Sequence, residues 1–162
     1  KRAEFMTRIE RALKGSNLQR AIEICKETDA PFSNVVYSGL ELIGRREREI
    51  SNAMEREITI ETTKLERYTS IVGTIGNTAV YVGLFGTVLG IIRAFHDIAA
   101  AGAGGMSIVI AGVADALVCT AMGLFVAGPA VIAFNYFAKR VESFVNDMEL
   151  CASELIDLVG KG

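Results

Sequence analysis

Asp115 is the side chain in this sequence with the clearest chemical potential: it carries the only charge between Asp97 and Lys139, and alanines stand on both sides of it. A carboxyl group set that deep in an apolar helix costs on the order of 3 kcal/mol on membrane-insertion scales, so it has to face a cavity, a partner or water. An acid held in this way is suited to carrying a proton or guiding a cation. Thr87 and Thr120 are its polar companions in the same apolar stretch. Hydroxyls in such helices commonly bond back to their own backbone, so each threonine taken alone reads as structural. At about 3.6 residues per turn, Asp115 and Thr120 stand about 140° apart, and both reach one pore only if the helix lies between pore and neighbour or is distorted.

No other reacting constellation is visible. Cys25, Cys119 and Cys151 are odd in number, widely spaced and without a CxxC or Cys/His pattern, so neither a disulfide framework nor a zinc site follows. They read as buried or incidental thiols in a reducing compartment. His96, the single histidine, cannot complete a metal site, and beside Asp97 it reads as an ordinary surface pair. Gly102, Gly104 and Gly105 lack the preceding strand and the GK[ST] of a phosphate loop. No nucleophile, base and oxyanion donors stand together, so an enzyme is not expected, and no cofactor or metal is called for. A balance of 17 Lys and Arg against 19 Asp and Glu gives a net charge of −2, which offers nothing to nucleic acid.

The elements that must position Asp115 follow from where the charges lie. The chain is 51% apolar with a mean hydropathy of +0.35, unusual beside 22% charged residues, so charge and greasiness must be segregated. Residues 1–67 hold 13 basic and 12 acidic side chains, residues 68–138 hold only Arg93, Asp97 and Asp115, and residues 139–162 hold 3 basic and 5 acidic. The nearly uncharged middle is long enough for two bilayer crossings of roughly 20 residues each. The fold class expected is an all-α integral membrane protein, with long helices running from a cytoplasmic helical bundle into the membrane.

The bundle, residues 1–67, shows short amphipathic helices (Phe5, Ile9, Leu13, then Leu18, Ala21, Ile22, Cys25) parted by Gly15-Ser16-Asn17 and closed at Asp29-Ala30-Pro31. Helical spacing restarts near Phe32, and the proline-free run Glu41 to Arg67 predicts a long helix that continues into the first crossing, 68–95. Gly76, Val80, Gly83, Thr87 and Gly90 recur there at spacings of 4, 3, 4 and 3, with Gly86 beside them, a small-residue face suited to packing between subunits. Residues 96–107 read as a short loop without Lys or Arg, and the basic residues on the far side of both crossings put this loop in the periplasm. Arg93 is the exception and is expected to snorkel or pair with Asp97.

The second crossing, 108–138, holds Asp115 and a packing residue, Pro129, whose missing N–H favours a bend. Phe134, Phe137, Val141, Phe144, Met148, Cys151, Leu155 and Leu158 then alternate spacings of 3 and 4. That seam carries the helix on into the cytoplasmic extension, 139–162.

GLFGTVLGIIRAF, Gly83 to Phe95, followed by AGVADALVCTAMGLFVAGPAV, Ala111 to Val131, resembles the ExbB/TolQ family of inner-membrane proton channels, with Asp115 falling 28 positions after Thr87. The resemblance covers roughly residues 65–145. It implies a third membrane helix upstream of this chain, consistent with an opening KRAEF that lacks Met and any signal core. It further implies a homopentamer in the inner membrane around two single-span ExbD- or TolR-like subunits, each bearing an Asp, with a TonB/TolA-like protein as a further partner. Thr87, Asp115 and Thr120 match the family's pore-lining polar residues, and protons are the implied coupling ion, with sodium left open. Two departures stand out: Asp115 replaces the family's usual Glu, and Val80 stands where relatives often have Pro. The related flagellar stators usually lack an acid here and carry a larger cytoplasmic insert, which argues against that variant. A passive scaffold housing a partner complex is the other alternative.

Overall fold

The structure is a computed structural model that describes residues 1–102 and 105–161. Among the described residues all regular structure is α-helical: α1 is Arg2–Lys14, α2 Leu18–Glu27, α3 Pro31–Leu40, α4 Glu47–Ala101 and α5 Gly105–Gly160. The chain divides into two compact units, Lys1–Glu66 with Lys139–Gly162, and Arg67–Ala138.

In the first unit the helix ends are written locally. Gly15 donates its N–H to Arg11 O at 3.1 Å as α1 closes, Ser16 turns the chain at φ 53°, and Asn17 caps α2 by accepting from Arg20 N at 2.9 Å. Pro31 opens α3, where its missing N–H costs nothing. Helical spacing restarts near Phe32 as expected, but it does not flow into the long helix: α3 stops at Leu40, and Gly44 turns the chain at φ 94° before α4 begins at Glu47. Glycine reaches that conformation without the penalty a Cβ would impose.

The core of this unit joins all five helices. Ile9, Val35, Val36, Leu40, Ile50, Met54, Met148, Cys151 and Leu155 are fully buried, and the Phe5 and Phe32 rings meet at 5.2 Å. A methyl group on Gly39 would sit 2.7 Å from both Leu155 Cδ2 and Met54 Sδ, so a larger residue would have to push these two side chains aside. Arg2 ties α1 to α5 through Glu154 at 2.6 Å and Asp147 at 3.6 Å. Glu61, the one buried acid among the described residues, accepts from Asn34 Nδ2 at 3.2 Å and from Lys64 Nζ at 2.8 Å, which offsets its desolvation. Of the predicted seam, Val141, Met148, Cys151 and Leu155 are buried here.

The second unit is the apolar parts of α4 and α5. Among the described residues these are the two helices long and apolar enough to cross a membrane, and only 11% and 6% of their most apolar windows are buried within the chain. Phe85, Phe125 and Ile132 are among the exposed apolar side chains. Such a surface needs lipid or neighbouring protein to cover it, and the chain is an all-α membrane protein. The loop read over 96–107 is largely helix: α4 continues through Ala101 and α5 starts at Gly105, with Gly102 at φ 72°. The alanine-rich end of α4, the best helix former, extends the helix past His96. Gly104 lies outside the described residues. Pro129 sits inside α5 without interrupting it, and its side chain is exposed rather than packed against α4.

Candidate ion-path site

The small residues of α4 set the geometry of the site. Gly76 meets Val131, Gly83 meets Gly123, Gly86 meets Cys119, Gly90 meets Ala116 and Ala94 meets Gly112, so each step up α4 is matched by a step down α5. A methyl group on Gly90 would lie 2.6 Å from Ala116 Cβ, and one on Gly123 would lie 2.7 Å from Ala79 O. The small-residue face thus admits another helix closely, and that helix is α5 of the same chain. The reason is the complementary row Gly112, Ala116, Cys119 and Gly123 on α5, whose spacings of 4, 3 and 4 are visible in the sequence. That row is the signal that the sequence reading missed.

This close approach brings the two threonines together. Thr87 Oγ1 contacts Thr120 Oγ1 directly and lies 3.1 Å from Ala116 O and 3.3 Å from Gly83 O, while Thr120 Oγ1 lies 3.5 Å from Gly83 O. Each hydroxyl has one proton to give. Thr120 can donate to Thr87, which then donates to the Ala116 carbonyl, or Thr87 can donate to Thr120, which then donates to Gly83. The pair can therefore be ordered in either sense, and it bridges the helices as well as bonding back to its own turn.

Asp115 is not part of that bridge. It is exposed on the flank of the pair and lines a cleft of about 520 Å³ with Gly86, Gly90, Arg93, Asp97 and Cys119 among its neighbours. Thr120 meets α4 through Thr87, and Asp115 lies beside that contact on the wall of a cleft that residues of both helices line. The neighbouring residue on the chain, Ala116, links the two, since its carbonyl accepts from Thr87. Arg93, expected to pair with Asp97, makes no salt bridge among the described residues. Sequence reasoning gave neither Arg93 nor Asp97 a place beside Asp115. Among the described residues no group of His, Cys, Asp and Glu is placed to hold a metal ion.

Outside the membrane helices, the thiols are the groups most shifted. Burial, with the neighbouring Cys151 adding to it, pushes the Cys25 thiol up to about 12. Burial likewise raises Cys151 to about 11, against the opposing pull of Arg2. Both stay protonated and unreactive near neutral pH.

Two apolar helices locked at glycine distance, bridged by hydroxyls and carrying an acid on an uncovered flank, define a membrane protein with ionisable chemistry built into its spans. The chain belongs to the MotA/TolQ/ExbB proton channel family, whose model matches residues 27–150. That family is one of channels, not of enzymes. The biopolymer transport protein ExbB of Xanthomonas campestris pv. campestris (strain B100) is 34% identical over 164 residues, 90% of this chain and 65% of its own length. ExbB of Salmonella typhimurium is 35% identical over 164 residues, 89% of this chain and 66% of its own. The Tol-Pal system protein TolQ of Pseudomonas aeruginosa is 42% identical over 105 residues, 65% of this chain and 46% of its own. The chain spans about two thirds or less of the length of these curated relatives.

Proposed function

We propose that this chain is the channel subunit of an inner-membrane complex that converts proton motive force into work on the cell envelope, in outer-membrane transport or in envelope integrity. The observation that carries the reading is Asp115: a lone acid in the apolar part of α5, set on the cleft wall next to the residue whose carbonyl receives Thr87. One charge crossing 100 mV supplies about 2.3 kcal/mol, so a few crossings can drive a sizeable conformational step. Protons are the coupling ion, Asp115 takes and releases them, and Thr87 with Thr120 order the polar path beside it. The assembly is a homopentamer enclosing two ExbD- or TolR-like single-span subunits, which pass the work to a TonB/TolA-like protein. No cofactor is required by this chemistry.

The test compares the full-length protein, Asp115→Asn and Asp115→Glu with the partner subunit present, at equal assembly, for activity that depends on proton motive force. Asn should abolish activity and Glu should restore much of it. Full activity with Asn would make this chain a passive housing and move the ion path to the partner. The hydroxyl bridge between α4 and α5 is the observation that suits that second reading, because it gives both threonines a structural task.

A further inference from the structure

The cleft holds one basic and two acidic side chains, and their order along the helices is informative. Arg93 and Asp97 come from α4, while Asp115 and Cys119 come from α5. In the register fixed by Gly90 against Ala116 and Ala94 against Gly112, Asp115 lies level with Ile91. Arg93 is two residues further along α4, about 3 Å at 1.5 Å per residue, and Asp97 is one further turn away, about 6 Å beyond Arg93. The guanidinium is thus strung between two carboxylates, on a stem long enough to reach either. It is exposed, forms a salt bridge with neither among the described residues, and is the only Lys or Arg in residues 68–138, with His96 three positions on.

We propose that Arg93 is the selectivity residue of this path: a tethered cation that holds the Asp115 carboxylate against sodium and gives it up to a proton. The proposal rests on the reading of Asp115 as the acid of the path. A sodium ion binds a carboxylate only electrostatically and after losing water, so it competes directly with a guanidinium for the same oxygens. The tethered competitor acts at an effective concentration of millimolar or more, and its planar fork fits the carboxylate better than a spherical ion does. A proton competes differently, because it forms an O–H bond and leaves Asp115 neutral. The guanidinium then has no partner at Asp115 and turns to Asp97, a neighbour at i, i+4. When the proton moves on, the carboxylate draws Arg93 back.

The ordinary alternative is that Arg93 anchors the helix end at the membrane interface. The two are separated by labelling Asp115 with dicyclohexylcarbodiimide in membranes holding the full-length protein and its partner subunit. The protonated carboxyl adds across a C=N bond of the reagent, its proton passing to nitrogen, and the adduct is read by peptide mass. Labelling is compared with sodium or choline as the bulk cation for the native protein, Arg93→Lys and Arg93→Gln, none of which needs to be active. We expect sodium to leave labelling unchanged in the native protein and Arg93→Lys, and to suppress it several-fold in Arg93→Gln. An identical sodium response in all three, whether protection or none, overturns the role of Arg93. Failure of Asp115 to label in any of them, together with full activity of Asp115→Asn, overturns the underlying reading instead.

Discussion

The contact between Thr87 and Thr120 gives two hydroxyls a partner that neither helix supplies alone. Removing one leaves the other with backbone carbonyls alone as acceptors, so the two substitutions should not add. Thr87→Val and Thr120→Val are each expected to destabilise the helix pair, and a double-mutant cycle on thermal unfolding in detergent should give a coupling of about 0.5–1.5 kcal/mol. Strict additivity would mean that the two hydroxyls act through backbone carbonyls and not through each other. Thr87→Ser, which keeps the oxygen, should retain the coupling. At this scale the sequence was informative about identity and silent about neighbours. Asp115 stood out by charge, and its angular separation from Thr120 followed from helix geometry. That Arg93 shares its cleft depends on the register of α4 against α5, which a hydropathy pattern does not contain.

At the scale of the helices, glycine decides how closely α4 and α5 approach. Gly90 and Gly128 make a pair for testing this, since a methyl group on Gly90 would meet Ala116 at 2.6 Å and one on Gly128 would meet nothing within 4 Å beyond its own helix and chain neighbours. Gly90→Ala should cost about 1–3 kcal/mol through overpacking. Gly128→Ala should cost less, because its methyl group meets only the ring of Pro129 that follows it, while alanine loses less backbone entropy in a helix. Unfolding of both variants in the same detergent measures the difference, and equal behaviour would remove the close-packing account. The long helices were legible as apolar stretches without charge. Their ends were not: Gly44 and Gly102 adopt positive φ and end elements where periodicity alone continues, and alanines 99–101 extend a helix through residues that composition assigned to a loop.

For the whole molecule, charge segregation is the organising fact, and it was readable from the first count of Lys, Arg, Asp and Glu. The charged unit has a core of its own, which includes the thiols of Cys25 and Cys151. Their folded values of about 12 and about 11 lie above the ordinary 9.0, so the folded unit keeps protons that the unfolded chain releases. Stability from these thiols is therefore complete below about pH 9 and is lost as pH rises from there towards 11 or 12, by up to about 1.4 kcal/mol per pH unit for each. Thermal unfolding from pH 8 to 11 should show a steeper fall for the native chain than for Cys25→Ala, and parallel falls would contradict the burial argument. The threonine bridge also has a consequence for biosynthesis. Its two residues are 33 positions apart, so at roughly 5–20 residues per second the second hydroxyl is made roughly 2–7 seconds after the first. During that interval the ribosome has delivered a first span whose glycine face has no α5 to rest on. The hairpin must then be completed before the insertion machinery lets its leading helix go.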